Sequence, residues 1–299
     1  MTIHAARIKK TVRQTARHIL GPRLTEIVAR RFRPELGSKA EYRSHLQSRK
    51  ALEIGGPSRM LADDGPIPVY DVLASLDNCL YSGSTIWTGE VTEGNTFVYQ
   101  MGKHPGRQIL CEGADLRPIE NSSYECILAC HCLEHIANPL RALAEWKRVL
   151  KQDGLLLLLL PHKDGTFDWR RPTTSLAHMI ADYERGVSED DLTHLQEVLQ
   201  LHDLSRDPGA GTKEQFRKRS QENHIHRAMH HHVFDTPTAL AMVSYAGFQI
   251  LRVDNLLPCH IIILGQRTEQ KPDNRSFLES GSAHRLRSPF RSDRGAIAV

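Results

Sequence analysis

Six consecutive leucines at residues 155–160 constrain the fold more than any other part of this sequence. A strand with one face in water alternates apolar and polar residues, so a strand that is apolar throughout is covered on both faces. Residues 125–130 are also apolar at nearly every position. The two runs predict strands of a parallel sheet that lies between layers of helices. Both are far shorter than the roughly 18 apolar residues of a membrane span.

A helix is predicted between these two strands. Asn138 is suited to the N-cap position, and Pro139 is suited to the first helical position. A strand, a helix and a second strand form a βαβ unit, which places the two strands parallel. Further short apolar runs lie at residues 51–54, 68–72, 108–111, 248–253 and 261–264. The pattern predicts a doubly wound α/β fold with a mostly parallel sheet.

Charge is distributed unevenly along the 299 residues. Residues 1–34 carry a net charge of +8, and residues 35–267 carry −6. An acidic middle region argues against a broad nucleic-acid surface, because phosphate neutralisation needs clustered Lys and Arg. The basic arm has helical spacing, so it is expected either to contact an anionic membrane or to pack as an ordinary helix. An organelle transit peptide is a further alternative.

Composition also predicts the domain boundaries and the compartment. We expect a helical arm at 1–45, a central domain at 46–267 with an insertion at 161–229, and a disordered tail at 268–299. The six cysteines show no disulfide or zinc spacing, which indicates a reducing cytoplasm and no bound metal. The arm could make the protein peripheral at the inner face of the membrane.

Candidate ligand-binding residues follow the predicted strands. In a doubly wound sheet, ligands bind beyond the carboxyl ends of the strands. The first run ends at Gly55-Gly56, and the second ends at Asp71, which could accept hydrogen bonds from a ribose. Asp115 and His131 follow the third and fourth runs. The order of these residues at successive strand ends predicts one binding site.

The sequence resembles the class I S-adenosylmethionine-dependent methyltransferases, specifically the methyltransferase-11 group. The resemblance lies in residues 52–56, 114–125, 133–139, 150–155, 232–236 and 246–248. It implies a seven-stranded Rossmann-like sheet with a helical insertion before the last helix and a closing β-hairpin. The LEIGGPS and HHHVFD segments also resemble, more loosely, methyltransferases of bacterial surface-polysaccharide synthesis.

This resemblance implies seven cofactor-binding residues. They are Glu53, Gly55, Gly56 and His131 at the methionine end, Asp71 at the ribose, and Asp115 and Leu116 at the adenine. Pro57 and Arg59 stand where the family usually has further turn glycines. Because proline has no N–H and a fixed φ, the turn is expected to differ in shape.

A hydroxyl acceptor would need a general base, for which histidine is suited. His162 is the first candidate because it directly follows the fifth predicted strand. The second is His232, the last of the group His224, His226, His230, His231 and His232. A metal bound by this group stays as an alternative, since His226 and His230 would share a helical face.

The predicted function is methyl transfer from S-adenosylmethionine to a hydroxyl of a glycan or glycolipid precursor. Aromatic and polar residues in the insertion, such as Phe167 and Trp169, suit a sugar acceptor. The alternatives are a small-molecule or quinone-type methyltransferase and a non-catalytic interaction protein of the same fold. The charge pattern disfavours an RNA substrate, and the incomplete glycine motif disfavours a nicotinamide-dependent oxidoreductase.

Overall fold

The computed structural model describes residues 36–294, so residues 1–35 of the arm predicted at 1–45 lie outside them. Within the described residues, the main sheet has eight strands in the order β5-β6-β2-β1-β7-β8-β10-β9. These strands are β1 (Lys50–Ile54), β2 (Ser75–Leu80), β5 (Gly94–Phe97), β6 (Gly106–Leu110), β7 (Tyr124–Cys130), β8 (Leu150–Pro161), β9 (Phe248–Leu256) and β10 (His260–Arg267). A separate two-stranded ribbon consists of β3 (Ser84–Thr85) and β4 (Gly89–Glu90).

The strand order confirms the Rossmann-like sheet and corrects the expected number of strands. Strands β6, β2, β1, β7 and β8 are parallel, and β9 and β10 form the antiparallel closing hairpin. The eighth strand is β5, which pairs antiparallel with β6 at the sheet edge. Since β1 lies between β2 and β7, the strand order reverses there, and ligands bind at such switch points.

The leucine run is buried on both faces, as predicted. Leu156, Leu158 and Leu160 pack in one core cluster with Trp146 and Leu240 from two helices. The alternate leucines of the same strand are also at most 1 % exposed. Every leucine of the run therefore contributes about 1.5–3 kcal/mol of burial free energy.

Nine α-helices occur in the described part of the chain. They are α1 (Lys39–Leu46), α2 (Pro139–Val149), α3 (Leu176–Arg185), α4 (Leu195–Leu201), α5 (Lys213–Gln221), α6 (Asn223–His226), α7 (Thr236–Tyr245), α8 (Arg275–Leu278) and α9 (Ala283–Leu286). Helix α2 begins as predicted, since the Asn138 side chain accepts a 3.0 Å hydrogen bond from the Arg141 N–H. No helix of the described residues is long and apolar enough to span a membrane.

The prediction of a strand at 68–72 is wrong. Residues Tyr70–Val72 form a short 3₁₀ helix, and β2 begins only at Ser75. Strand β2 was missed because it contains buried polar residues. Asn78 bonds to Gly56 and Gln108, and the Asp77 carboxylate accepts from the Tyr124 hydroxyl at 2.8 Å.

The tail that composition predicts to be disordered is packed against the domain over residues 268–294. Asp293 is fully buried and accepts hydrogen bonds from the Thr236 N–H at 2.9 Å and from the Ser288 hydroxyl. Phe290 is also buried. The tail is held mainly by polar contacts. A prediction based on the number of apolar residues does not detect such contacts.

Candidate functional site

A cavity of about 780 Å³ opens at the carboxyl ends of the parallel strands. Its floor includes Ile54 and Gly55 at the end of β1, Leu80 and Tyr81 at the end of β2, and Gly113 after β6. The insertion supplies the opposite wall. This volume lies within the roughly 300–1,000 Å³ of small-molecule sites, and the position is the one expected for a doubly wound sheet.

Two bare glycines give the cavity floor its shape. Gly55 has φ +82°, a conformation that residues with a side chain rarely adopt, and an added Cβ would lie 3.1 Å from Cys132 Sγ. A Cβ on Gly113 would lie 3.0 Å from Ile136 Cδ1. The structure therefore places Gly55 at the cavity as predicted. Gly56 lies outside the lining, where its N–H donates to Asn78 Oδ1 at 2.9 Å.

Glu53 lies beneath the glycine turn and does not reach the cavity lining. It is fully buried, and the Tyr70 hydroxyl donates to Glu53 Oε2 at 2.7 Å. Burial raises the pKa of the Glu53 carboxyl to about 7, against the opposing effect of the Tyr70 hydrogen bond. The Glu53 carboxylate thus lies next to the glycine turn and stabilises it from the buried side.

Asp71 lies at the wrong end of the sheet for the predicted role at the ribose. It precedes β2, so it is at the amino ends of the strands, opposite the cavity. Its carboxylate pairs with the Arg43 guanidinium at 2.6 and 2.8 Å. The error follows directly from the misplaced second strand.

Asp115 and Leu116 also lie outside the cavity lining. Asp115 accepts a 2.8 Å hydrogen bond from Arg117 Nε, and the Leu116 side chain is fully buried in the core. The carboxylate on this rim is Glu112, which accepts a 2.6 Å hydrogen bond from Arg227 Nη2. Glu112 was available to sequence reasoning, because it follows β6 by two residues.

His131 lines the cavity, as predicted. Its Nε2 is 2.7 Å from Nδ1 of His260, and its Nδ1 is 3.6 Å from Oε1 of Glu134. These contacts orient the imidazole at the end of β7.

His162 is enclosed and cannot contact an acceptor in the cavity. The residue is fully buried, and Nε2 lies 3.0 Å from Oδ1 of Asp293. Its other nitrogen, Nδ1, accepts from the Asp164 N–H at 3.1 Å, and the ring stacks on Phe290. Both nitrogens are occupied, so the prediction of His162 as the base is wrong.

His232 is also placed away from the cavity. Its Nε2 lies 3.1 Å from the Ala137 carbonyl oxygen, and the residue is 1 % exposed. Burial lowers the pKa of the imidazole to about 3, so it is neutral at physiological pH. It is absent from the cavity lining, which contradicts its predicted role as the alternative base.

The imidazole that reaches the cavity is His230, two residues before His232. Its Nδ1 lies 2.6 Å from Oδ2 of Asp168, and Asp168 Oδ1 accepts from Arg171 Nη1 at 3.0 Å. Burial by itself lowers the pKa of His230, but the Asp168 carboxylate outweighs it and raises the pKa above its usual value. Sequence reasoning included His230 in its histidine group without separating it from its neighbours.

Glu134 and His135 line the cavity beside His230. The rings of His135 and His230 are 4.6 Å apart, and burial lowers the pKa of His135 to about 4, assisted by the charge on His230. Glu134, His135 and His230 together could also hold a metal ion, since one ligand atom from each lies within 4.8 Å of the others. No spacing in the sequence distinguishes this group from other histidines and acids.

Residues 85–158 match the model of a family described as a methyltransferase domain. No curated protein matches the sequence. One similar solved structure is 1,6-didemethyltoxoflavin-N1-methyltransferase from Burkholderia thailandensis, with bound S-adenosylhomocysteine. It shares 12% identity at a TM-score of 0.44, with 89% of each chain covered.

Two further similar solved structures are S-adenosylmethionine-dependent methyltransferases. The protein from Methanosarcina mazei has 15% identity and a TM-score of 0.40, covering 79% of this chain and 100% of its own. The protein from Mesorhizobium loti has 10% identity and a TM-score of 0.41, covering 78% and 98%. The family match covers residues 85–158, and the sheet order of the described residues is that of a Rossmann-like fold.

Proposed function

We propose that this protein transfers a methyl group from S-adenosylmethionine to a hydroxyl of a polar, glycan-type acceptor in the cavity. The observation that supports this most strongly is the Asp168–His230 pair, a buried carboxylate and imidazole at the cavity wall. A hydroxyl acceptor needs a base with a pKa near neutral to remove its proton. The sulfonium donor itself supplies no such base.

The cavity floor fits an adenosyl cofactor. Gly55 and Gly113 leave space where a Cβ would be crowded, so a ligand can approach the backbone closely. Glu112 and Tyr81 lie at the ends of β6 and β2, where their oxygens can hydrogen-bond the ribose hydroxyls. The bound donor supplies an electrophilic methyl group on its sulfonium.

The protein's part in the reaction is to position the acceptor and remove its proton. Asp168 fixes the Nδ1–H of His230, which leaves Nε2 free to accept the proton of an acceptor hydroxyl. Arg171 holds Asp168 in place and also donates to the His230 carbonyl oxygen at 2.9 Å. General-base catalysis of this kind contributes about 10²–10⁴ in rate, and alignment of the reactants contributes further.

The insertion side of the cavity supports a polar acceptor. Phe167 offers an aromatic face, while Asp207 and Arg219 offer a carboxylate and a guanidinium on the same wall. Aromatic stacking combined with a few polar groups is typical of sites that bind hydroxylated ligands. These residues support a sugar or sugar-containing acceptor over a wholly apolar one.

One observation favours a different acceptor. Ile86 and Trp87 line the cavity and are 49 % and 60 % exposed, so they offer an apolar surface at its mouth. An aromatic small molecule, such as a quinone precursor, would bury this surface. The two acceptors predict different effects of a Trp87→Ala change. Turnover should fall strongly with an aromatic acceptor and only slightly with a sugar.

The proposal is tested by incubating the purified protein with donor labelled in its methyl group and panels of sugar nucleotides, glycolipids and phenols. We expect labelled methyl ether on a hydroxylated acceptor, detected by mass spectrometry, and little with His230→Gln. His226→Gln is the matched control, because His226 pairs with Glu222 outside the cavity lining. Equal turnover by the His230 and His226 variants would contradict the assigned base.

A further inference from the structure

A second group of histidines lies outside the cavity, beside the contact between α3 and α7. We call it the His178 cluster, and its members are His178, Asp182, His194 and His232. Each member offers one ligand atom, and the four atoms all lie within 4.8 Å of one another. None of the four lines the cavity, so methyl transfer as described above leaves the cluster unexplained.

Three separate segments of the chain bring the cluster together. His178 and Asp182 are four residues apart on α3, so they share one face of that helix. His194 directly precedes α4, and His232 lies in the segment before α7. The cluster therefore joins two helices of the insertion to the chain that carries His230.

The distances match those of a tetrahedral zinc site. Nε2 of His178 lies 3.1 Å from Nε2 of His194 and 3.1 Å from Oδ2 of Asp182. The same Asp182 oxygen lies 3.7 Å from Nε2 of His232. Bonds of about 2.0–2.1 Å to four tetrahedral ligands put neighbouring ligand atoms roughly 3.3 Å apart.

Hydrogen bonds alone leave part of the cluster unsatisfied. His232 is 1 % exposed, its Nε2 faces both the Asp182 carboxylate and the Ala137 carbonyl oxygen, and its Nδ1 has no hydrogen-bond partner among residues 36–294. A buried polar atom without a partner destabilises the folded state. Nε2 of His178 and Nε2 of His194 face each other at 3.1 Å, so only one of them carries a proton between them and the other presents a lone pair.

The surroundings supply the outer contacts that metal ligands usually have. Arg185 pairs with Oδ1 of Asp182, and Asn138 Nδ2 donates to the Asp182 carbonyl oxygen at 3.1 Å. The Arg185 contact fixes the orientation of the Asp182 carboxylate, and the Asn138 hydrogen bond holds the backbone of α3 at this residue. The His178 side chain is 39% exposed, which leaves a path for an ion from solvent.

We propose that the His178 cluster binds one Zn²⁺ in a closed, four-coordinate structural site. Three imidazole nitrogens and one carboxylate oxygen are ligands that Zn²⁺ takes, and four protein ligands leave no position open for a substrate. The ion fixes α3 and α4 against the segment that carries His230. It thereby holds the insertion wall of the cavity without touching a reactant.

The test is metal analysis of the full-length protein without an affinity tag, stripped with a chelator and reloaded with zinc. We expect about one Zn²⁺ per chain, and a higher Tm with zinc than with chelator. His178→Ala and His194→Ala are expected to lose at least about nine-tenths of the zinc and the zinc-dependent Tm rise. His104→Ala is the matched control because His104 is exposed and outside the cluster.

His178 is partly exposed, so the His178→Ala variant is expected to fold. In chelator its Tm should equal that of the native chain. Full zinc binding by both cluster variants would overturn the proposal. So would absence of stoichiometric zinc from the native chain after reloading. Loss of zinc with His135→Gln but not with His178→Ala would place the ion in the cavity and also overturn it. These measurements need no methyl acceptor, so they are independent of the proposed function.

Discussion

Two buried histidine–carboxylate pairs in this protein have similar local chemistry and different surroundings. His162 and Asp293 lie 3.0 Å apart beneath Phe290, and both nitrogens of His162 are occupied. His230 and Asp168 lie 2.6 Å apart at the cavity wall, where only Nδ1 of His230 is occupied by its partner. A histidine–carboxylate pair of this kind can act as a base only where one imidazole nitrogen can contact the acceptor.

The largest expected effect is on turnover by the cavity pair. His230→Gln removes the proton acceptor and is expected to lower kcat by about 10²–10⁴. The measurement is the initial rate of methyl transfer from labelled donor at saturating acceptor. A kcat within about threefold of the native value would remove His230 from the mechanism, given the size expected for general-base catalysis.

The enclosed pair is expected to affect stability and to leave turnover nearly unchanged. His162→Gln breaks a buried hydrogen bond to a carboxylate, so it should lower the free energy of unfolding by about 1–3 kcal/mol. Denaturant unfolding measures this loss, and kcat of the folded variant is the control. A loss of turnover as large as that of His230→Gln, without a loss of stability, would contradict the contrast between the pairs.

The pH dependence sharpens the same contrast. Because Asp168 raises the pKa of His230, the free base forms only as pH rises through that elevated pKa, and kcat/KM should rise with it. In Asp168→Asn the carboxylate charge is lost, so the ascending limb is expected to move to lower pH while the maximal rate falls. If the ascending limb of the pH profile stays at the same pH in Asp168→Asn, a group other than His230 titrates there.

The smallest effects concern the donor. Glu112→Ala removes the rim carboxylate and should weaken S-adenosylhomocysteine binding by roughly tenfold, the value of a hydrogen bond to a charged group. Asp71→Ala is the matched control. It removes only a partly exposed ion pair with Arg43, worth about 0–1 kcal/mol of stability, and should leave affinity unchanged. Calorimetric titration of both variants checks this, and the reverse order of effects would restore the sequence-based assignment.

The strands that sequence reasoning found and missed differ in how their side chains are satisfied. Strands β7 and β8 were predictable because residues covered on both faces must be almost entirely apolar. Strand β2 was missed because Asp77 and Asn78 are buried in hydrogen bonds, a condition that a hydrophobic pattern cannot show. The wrong position for Asp71 follows from that one strand.

The site was predictable in position and only partly in its residues. Gly55 and His131 follow β1 and β7 and both line the cavity, because parallel strands end at one edge of the sheet. Which histidine of a row faces the cavity depends on the local backbone direction, so His230 and His232 could not be distinguished from their order. The hydrogen-bond partner of His162 is Asp293, which lies 131 residues later in the sequence, so a local sequence pattern could not identify it.

The most direct test of the central claim is a crystal structure of the full chain with S-adenosylhomocysteine. We expect ligand density along Gly55 and Gly113, with the ribose at Glu112 and the sulfur directed towards His230. Density at the opposite edge of the sheet beside Asp71, or a cavity filled by protein side chains while the ligand binds elsewhere, would contradict it.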